Sequence, residues 1–472
     1  MVADTKSSRH RIYLDDISIR RTYRTCNTRI KSCSSGGDDS LRDLVARSIH
    51  SATRTSGSRR MKLLILTMRF PYGTNHEVFF ETELRALART FEEVIILPMK
   101  IEATRRAVPG NVECWAPIAS SGRWLYAQSF FHPQFWVTMA RLLVGCANAG
   151  KFGWVQLRSC VVSASFDLAM RRHGNLKELL KSRDLVVYAY WGAITALCLP
   201  LAKAKGAVTC ARYHGVDLYL ERQENGGYIP FRREVQAAAD LNVFVSEQGR
   251  EYFASRAGAE VGGQQVVSRL GSPDFGPPSA RTLETESRAA VLMVSVSQIV
   301  PVKRVHLIAR LAKNMALRRP VEWHHFGGGH STLLATELAT DMPANLTVRM
   351  HGTTANSEIR RFYRSNRVDL FVNLSASEGI PVSVMEALSA DIPAVAAKVG
   401  GTSEVVIDGQ SGMLVPPEQC ERSAELAVRV LEALAYDGLL SQCSAREIWL
   451  QLCDAEKNAS AFAALLRGLA VR

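Results

Sequence analysis

Runs of apolar residues that fit β-strands alternate with runs that have helical spacing through two separate stretches of the chain. In the first stretch, residues 79–90 have helical spacing, and strand-like runs lie at 62–68, 93–99, 184–191, 207–215 and 241–247. In the second, helical runs at 305–317, 331–340 and 357–366 alternate with strand-like runs at 291–296, 322–327, 346–352, 369–375 and 393–399. This alternation predicts parallel sheets with crossover helices.

We therefore predict an α/β protein with two doubly wound, Rossmann-like domains that face a central cleft. The N-terminal domain is expected over residues 61–275 and the C-terminal domain over 290–455, followed by a helical tail at 456–472. Residues 276–289 are predicted to be the linker, because the stretch from Gly271 is rich in Pro and Gly and lacks an apolar period. Ligands of such sheets bind beyond the carboxyl ends of the strands, so site residues are expected there.

Length and charge support two domains with a basic extension. At 472 residues the chain is too long for one typical core. Its net charge is +13, and residues 1–60 hold 13 Lys/Arg against 6 Asp/Glu, a net of +7. Residues 1–60 have no sustained apolar period and no signal-peptide segment, so we predict a disordered extension. Two interpretations stay open: Met61, where the first strand begins, is the native start, or residues 1–60 are a dispensable tail.

The ten cysteines are scattered, which favours reduced thiols in a cytoplasmic protein over a disulfide or zinc framework. No stretch has 18 or more uncharged apolar residues, so no transmembrane helix is predicted. Residues 124–150 are rich in Trp, Phe and Tyr, which fits either aromatic packing inside the protein or contact with a membrane surface. We therefore expect a cytoplasmic protein, with peripheral contact at the inner face of the membrane as the open alternative.

The basic charge does not predict a specific nucleic-acid partner. Much of it lies in residues 1–60, and the chain lacks the interleaved aromatic and basic residues of a nucleic-acid surface.

The stretch SEGIPVSVMEAL, residues 377–388, carries Glu378 and Glu386 in an otherwise apolar run. Pro381 suits the first position of a helix, so Glu378 is predicted in the loop before the helix and Glu386 in its second turn. The loop amides and the helix dipole favour an anionic ligand. Glu386 has two interpretations: its two oxygens accept a hydroxyl pair of a sugar ring, or it is a surface residue of an amphipathic helix.

Residues 377–415, SEGIPVSVMEALSADIPAVAAKVGGTSEVVIDGQSGMLV, resemble the signature of glycosyltransferase family 4. The signature combines two glutamates separated by seven residues, a GGTSE turn and a DG-x-x-G turn. The similarity extends to VSVSQIVPVKRVHLIARL (294–311), HFGGG (325–329), ARYHGVDLY (211–219) and FPYGTNHEVFFETEL (70–84). It covers about residues 61–455, and the group it resembles most is the bacterial exopolysaccharide, colanic-acid-type transferases.

This resemblance implies a GT-B fold and a retaining, metal-independent hexosyltransferase. The implied reaction moves a hexosyl unit from a nucleotide-diphosphate sugar to a sugar acceptor, expected to be lipid-linked, in exopolysaccharide or surface-polysaccharide biosynthesis. The nucleotide sugar is a donor substrate, and no cofactor is expected. Two alternatives stay open: a GT-B enzyme acting on a small soluble acceptor, and a non-catalytic nucleotide-sugar-binding protein.

The resemblance also implies roles for particular residues. His214 and Glu378 are expected near the donor sugar as catalytic residues, and Lys303 beside the diphosphate, where negative charge develops on the leaving group. Glu386 is expected to bind the ribose hydroxyls. The donor-binding set is Lys303, Arg304, Gly327, Gly328, Gly379, Ile380, Pro381 and Glu386, and the acceptor-binding residue is Glu77.

Each of these roles has a structural alternative. Gly327 and Gly328 also suit a tight turn, and Glu77 also suits a favourable charge at a helix start. Gln298 stands where many family members have an arginine. Arg304 is expected to compensate for this arginine only if its side chain faces the same way as that of Lys303. No metal is predicted, because the sequence has no DxD carboxylate pair at a strand end and no histidine cluster.

Overall fold

The computed structural model describes residues 61–73, 76–119, 122–222, 224–256, 261–278, 290–435 and 437–471. The predicted extension, residues 1–60, and most of the predicted linker, residues 279–289, lie outside the described residues. The expectations for these two segments, and the domain limits drawn from them, stay predictions.

Seven parallel strands form the first sheet, in the spatial order β3-β2-β1-β4-β5-β6-β7. This order, in which the chain winds outward from β1 in both directions, is that of a Rossmann fold. The strands are β1 (Lys62–Thr67), β2 (Glu93–Pro98), β3 (Val112–Cys114), β4 (Leu185–Ala189), β5 (Val208–Tyr213), β6 (Leu241–Phe244) and β7 (Gln264–Val267).

Six parallel strands form the second sheet, in the order β10-β9-β8-β11-β12-β13, which repeats the same winding. The strands are β8 (Val291–Val296), β9 (Val321–Phe326), β10 (Leu346–Gly352), β11 (Leu370–Asn373), β12 (Ala394–Ala397) and β13 (Gly412–Val415).

Helices cover both sheets. Those that follow the first-sheet strands are α1 (Phe80–Thr90), α2 (Gly122–Phe130), α3 (Pro133–Asn148), α4 (Trp154–Arg172), α5 (Gly174–Leu179), α6 (Leu199–Ala204), α7 (Arg232–Ala238) and α8 (Glu247–Arg256). Those of the second half are α9 (Val305–Ala316), α10 (Thr332–Ala339), α11 (Asn356–Ser365), α12 (Val382–Ser389), α13 (Ser423–Ala433), α14 (Ala445–Leu452) and α15 (Ala455–Val471).

The central strands are apolar along their whole length because helices bury both faces of each sheet. In β1, Leu63 to Leu66 are all 0% exposed. The facing helix α1 buries Phe80, Leu84 and Leu87, which recur at helical spacing on one side. The two periods that the sequence displays therefore correspond to one packed unit.

The predicted fold class, α/β with two doubly wound, Rossmann-like sheets, is confirmed. The strands and helices that the pattern predicted are present, with ends that differ by a few residues. The pattern missed β3, β7 and β13, because these edge strands have only three or four residues and β7 begins with two glutamines.

The aromatic segment 124–150 forms α2 and α3. Helix α3 packs one side inward through Phe135, Met139 and Leu142. Across the described residues, no helix is both long and apolar enough to cross a membrane.

The last helix, α15, returns to the first sheet. It packs along α1, where Glu456 forms an ion pair with Arg89 at 3.1 Å and Arg467 forms one with Glu92 at 3.1 Å. The residues that the sequence predicted as a helical tail thus cover the first sheet, although they follow the second in the chain.

Candidate active site

The carboxyl ends of the second-sheet strands carry the loops that contain most of the predicted site residues. Lys303 and Arg304 follow β8, Gly327 and Gly328 follow β9, and Glu378 to Pro381 lie between β11 and α12. These loops are hydrogen-bonded to one another: the Ala376 amide donates to the Val302 carbonyl at 2.8 Å. The structure therefore brings these residues to one edge, as expected for a ligand site of a doubly wound sheet.

Lys303 and Glu378 form an ion pair. The Lys303 Nζ atom donates to both carboxylate oxygens of Glu378, at 2.7 and 2.9 Å. Asn373, at the end of β11, donates a further hydrogen bond to Glu378 Oε1 at 3.2 Å. The Glu378 side chain is only 9% exposed and that of Lys303 is 28% exposed. The sequence assigned these two residues to different parts of the donor and did not predict that they contact each other.

Arg304 faces away from a shared phosphate clamp with Lys303. Its backbone is left-handed, with a φ of 46°. Its guanidinium donates to the carbonyls of Leu374 at 2.7 Å and Ser375 at 3.1 Å, at the end of β11. These bonds fix the loop between β11 and α12 to the start of α9. Because the guanidinium is held by these carbonyls, the geometry does not support the prediction that Arg304 replaces the arginine that is absent at position 298. The Gln298 side chain at that position is exposed.

The glycines after β9 line a pocket of about 500 Å³ and also close a tight turn. Gln298, Phe326, Thr353 and Asn356 are among the other residues that line it. Gly327 has a φ of +147°, and a Cβ atom there would lie 1.7 Å from the Ser297 carbonyl oxygen. The tight-turn interpretation of Gly327 is therefore supported by geometry, and its position at the pocket wall leaves a ligand contact open.

Glu386 is buried at the side of this pocket. Its side chain lies on α12, is 4% exposed, and accepts a hydrogen bond from Asn356 Nδ2 at 2.8 Å. Burial raises the pKa of Glu386 to about 7, although the Asn356 bond opposes this shift. The surface-residue interpretation of Glu386 is wrong, because the carboxyl group is enclosed. Since Asn356 lines the pocket, the carboxylate is close to the space in which hydroxyl donors would fit.

The loop before α12 is held by the turn at residues 400–404. The Gly401 amide donates to the Gly379 carbonyl at 2.7 Å, whereas a Cβ atom at Gly379 would meet nothing within 4 Å. Ile380 is half-buried. Pro381 has a ψ of 108° and is the N-cap, so α12 begins at Val382, one residue later than predicted. The extended ψ of Pro381 takes it out of the helix.

His214 directly follows β5 in the first sheet, and its ring is held in one neutral form. The ring Nε2 lies 2.8 Å from the carbonyl oxygen of Tyr190, which can only accept, so Nε2 carries the hydrogen. Burial, with the nearby charge of Arg212, lowers the pKa of His214 to about 3. Trp191 lies against the ring, with centroids 4.3 Å apart. The free Nδ1 is therefore a hydrogen-bond acceptor at neutral pH.

Glu77 holds the loop after β1. Its carboxylate accepts from the backbone amides of Met68, Arg69 and Phe70 at 2.7 to 2.9 Å, and from Trp191 Nε1 at 2.7 Å. A carboxylate has about four acceptor positions, and these four donors occupy them. The side chain thus positions the loop and Trp191, which packs on His214. Direct contact of Glu77 with an acceptor stays a prediction that this geometry does not favour.

Glu404 joins the two sheets beside the site and was not given a role from the sequence. Its carboxylate accepts from the amides of Glu247 at 2.9 Å and Gln248 at 3.1 Å, at the start of α8, and from Arg269 at 2.7 Å. Glu404 belongs to the GGTSE turn, so the signal was present in the sequence. Asn356 and Asn373 were also missed, because their partners lie on other elements.

Within the described residues, no group of three or more His, Cys, Asp or Glu side chains is arranged to hold a metal ion.

Comparisons with known proteins agree with this geometry. Residues 284–438 match the family model described as glycosyl transferases group 1. A sulfoquinovosyl transferase of Arabidopsis thaliana is 26% identical over 240 residues, which is 48% of this chain and 45% of that protein. A GDP-mannose-dependent α-(1-6)-phosphatidylinositol monomannoside mannosyltransferase of Mycolicibacterium smegmatis is 26% identical over 260 residues, 51% of this chain and 65% of that protein. The matches thus span about half to two-thirds of these relatives' lengths.

Solved structures resemble the chain over most of its length. An Anabaena protein, HepE, solved with UDP and glucose, superposes with a TM-score of 0.54 at 16% identity, over 85% of this chain and 98% of that one. The lipopolysaccharide outer core galactosyltransferase WaaB, without ligand, gives 0.57 at 14% identity, over 85% and 98%. At these identities the likeness establishes the fold. The chain therefore carries a segment, 284–438, that matches the group 1 glycosyl transferases, within a fold of the GT-B type.

Proposed function

We propose that the protein is a retaining hexosyltransferase that uses a nucleotide-diphosphate sugar and needs no metal ion. The observation that carries the proposal is the Lys303–Glu378 ion pair beside a glycine-lined pocket of about 500 Å³, within the segment that matches the group 1 family. A pocket of this size suits a nucleoside. Lys303 then lies where a diphosphate would follow.

In the proposed reaction, an acceptor hydroxyl oxygen bonds to the anomeric carbon as the bond from that carbon to the diphosphate oxygen breaks. The electron pair leaves with the nucleoside diphosphate, and its growing negative charge is stabilised by Lys303 Nζ and the loop amides before α12. The acceptor proton passes to the departing phosphate on the same face. This front-face course retains the anomeric configuration, as the resemblance to glycosyltransferase family 4 implies.

We propose that binding of the donor exchanges the partner of Lys303. The Glu378 carboxylate, 2.7 Å from Lys303 Nζ, compensates the charge of the lysine. An arriving diphosphate offers Lys303 a more negative partner, so Glu378 is released toward the hydroxyls of the donor sugar. His214 Nδ1, an acceptor at neutral pH, accepts a hydrogen bond from a substrate hydroxyl group on the opposite side of the cleft. Glu386 binds the ribose hydroxyls.

We propose a lipid-linked sugar as the acceptor, in exopolysaccharide or surface-polysaccharide biosynthesis of the colanic-acid type, at the cytoplasmic face of a membrane. The name of one relative, the phosphatidylinositol monomannoside mannosyltransferase, gives a lipid acceptor. A small soluble acceptor is the second candidate, since other relatives are named D-inositol 3-phosphate glycosyltransferase and sucrose synthase. A non-catalytic nucleotide-sugar-binding protein is the third.

The test begins with thermal shifts in UDP, GDP, ADP and their sugars. A ligand at 100 times its dissociation constant stabilises the folded state by about 2.7 kcal/mol. Lys303→Ala is expected to weaken binding of the selected nucleoside diphosphate by roughly tenfold or more, because a charge-assisted hydrogen bond is lost. Donor turnover should fall further, since the lysine acts most strongly on the leaving group.

Lys313→Ala is the matched control. Lys313 lies on α9, ten positions further on, and bonds to Glu337 at 3.1 Å away from the pocket. It should leave nucleotide binding and turnover unchanged. Full transfer activity in Lys303→Ala would refute the site, and binding without turnover on any sugar acceptor would favour the non-catalytic alternative.

A further inference from the structure

The helices between β3 and β4 carry a large apolar surface that no described part of the chain covers. We call it the aromatic surface. Its most exposed members are Trp124 (63%), Phe131 (90%), Val137 (71%), Phe152 (73%) and Trp154 (78%), joined by Trp136 and Val144. Single exposed apolar residues are normal, but these seven large ones between residues 124 and 154 mark an interaction site.

Helix α3, at the centre of this segment, is apolar on both its inner and its outer side. Its inner side buries Phe135, Met139, Leu142 and Cys146. Its outer side exposes Trp136, Val137, Ala140 and Val144, at helical spacing. A helix that is apolar all round is normally covered on every side.

Exposed aromatic side chains lie beyond both ends of α3. At the first end, Trp136 Nε1 donates to the Phe130 carbonyl at 2.9 Å, and the two rings meet edge to face with centroids 5.1 Å apart. At the other end, Phe152 and Trp154 lie in the turn to α4 and at its first residue. The aromatic surface therefore extends along a helix of 16 residues, or about 24 Å.

The charges around the surface are of one sign. Residues 114–166 contain no Asp or Glu, whereas Arg123, Lys151 and Arg158 are all exposed. The fourth basic residue there, Arg141, forms an ion pair with Glu234 at 3.3 Å. Glu224, in the neighbouring loop, lies 3.5 Å from Arg222. The uncompensated charge at the aromatic surface is therefore positive.

We propose that the aromatic surface docks on a membrane that contains anionic phospholipids. Trp and Phe side chains enter the boundary between headgroups and acyl chains, and Arg123, Lys151 and Arg158 contact the phosphates. A protein partner with an apolar groove would explain the aromatic residues, but it would not by itself explain 53 residues without an acidic side chain. Helix α3 lies along the interface and does not cross it.

The surface is attached to the loop that follows His214. Tyr228 donates its hydroxyl hydrogen to the Leu142 carbonyl at 3.2 Å, and Gln156 Nε2 donates to the Gly226 carbonyl at 2.6 Å. Docking therefore holds the carboxyl edge of the first sheet near the lipid headgroups. This position suits an acceptor that is itself lipid-linked, although the docking does not depend on the proposed transfer reaction.

The experiment is flotation of the full chain with vesicles, without nucleotide. We expect binding to phosphatidylcholine vesicles that contain about one-third phosphatidylglycerol, weaker binding to phosphatidylcholine alone, and release at high salt. The triple variant Trp124→Ser/Phe131→Ser/Trp154→Ser should lose binding by more than about tenfold, because the apolar area that enters the membrane is removed. The fold should be retained, because all three side chains are exposed. Arg123→Gln/Lys151→Gln/Arg158→Gln should lose roughly fivefold per charge on anionic vesicles only.

The control is Leu317→Ser/Leu333→Ser, which removes two side chains of the second half that are 68% and 60% exposed. It should bind vesicles as the unchanged chain does. No binding to anionic vesicles, or equal binding by the aromatic triple variant, would overturn the proposal. The proposal would also be overturned if the unchanged chain sedimented as a dimer and the aromatic triple variant as a monomer, because a second copy would then cover the surface. Nucleotide binding by the triple variant should be unchanged, which separates this inference from the transferase proposal.

Discussion

Burial raises the pKa of Glu386 to about 7, so at pH 8 the folded chain holds a carboxylate in surroundings that disfavour its charge. The ordinary value is 4.5, and the folded state therefore binds this proton more tightly than the unfolded state does. The sign follows: the contribution of Glu386 to stability is complete below pH 4.5 and is lost as the pH rises through 7.

We predict that Glu386→Gln raises the free energy of unfolding at pH 8 by up to about 3 kcal/mol and has little effect near pH 4.5. The same variant should weaken nucleoside diphosphate binding by about tenfold to a hundredfold at pH 8, because a charged acceptor for the ribose hydroxyls is lost. Urea unfolding and titration calorimetry at both pH values measure the two effects. A native residue that lowers stability but strengthens ligand binding, as we predict for Glu386, is typical of a functional site.

Glu337→Gln is the control with the opposite sign. Burial alone would raise the pKa of Glu337, but hydrogen bonds from Arg310 and Lys313 outweigh it and lower the pKa. Removing its charge should therefore reduce stability at pH 8 and leave nucleotide binding unchanged. If Glu386→Gln also reduced stability at pH 8 and left nucleotide binding unchanged, the Glu386 carboxylate would be stabilised by a cation in solution. The proposed role of Glu386 in nucleotide binding would then be refuted.

At this scale the sequence predicted candidate residues but not the side chains that contact them. The spacing of Glu378 and Glu386 was visible in one segment and predicted two separate positions. The contacts that define them come from Lys303 and Asn356, which are 75 and 30 residues away in the chain. Spacing within one element cannot reveal which other strand ends lie beside it.

The glycines of two strand-end loops differ in what they do. Gly327 has a φ of +147° and faces the Ser297 carbonyl, whereas an added Cβ at Gly379 meets open space. We predict that Gly327→Ala destabilises the chain by more than about 1 kcal/mol. Alanine disfavours the φ of Gly327, and its methyl group would displace the Ser297 carbonyl in the loop after β8. Gly379→Ala should fold as well as the unchanged chain, measured by thermal unfolding.

Gly379→Ala then reports on the ligand alone. If the diphosphate approaches the backbone before α12, the added methyl group should weaken binding although the fold is intact. Unchanged affinity in this variant would remove Gly379 from the donor-binding set. The sequence could not separate the two glycines, because both follow a strand and precede a helix. They are distinguished by the φ of +147° at Gly327 and by the approach of the Ser297 carbonyl to it.

At the scale of the whole molecule, alternation of strand and helix periods was sufficient to predict two Rossmann-like sheets. The pattern did not predict that α15, after the second sheet, covers the first. An amphipathic period shows that one side of a helix is buried, but it does not show against what. The same limit applies to the aromatic segment 124–150, whose inner and outer sides are both apolar, so that the sequence left both interpretations open.

Phe462 is the residue through which α15 contacts the buried polar cluster of the first sheet. It is 1% exposed, its ring lies 5.2 Å from that of Tyr188, and the Arg212 guanidinium lies 4.3 Å from its centroid. Arg212 forms a buried ion pair with Glu83 at 2.9 Å, which tolerates no entry of water without rearrangement. We predict that Phe462→Ala lowers the free energy of unfolding by about 3 to 5 kcal/mol.

Hydrogen exchange locates that loss. Amides of β4 and β5, beneath α15, should lose protection, whereas those of β8 and β9 should keep it, because α15 covers the first sheet and not the second. Lys457→Ala, an exposed substitution on the same helix, should change stability by no more than about 0.5 kcal/mol. If Phe462→Ala cost no more than this control, or if protection fell equally in both sheets, α15 would not be an integral layer of the first sheet in solution.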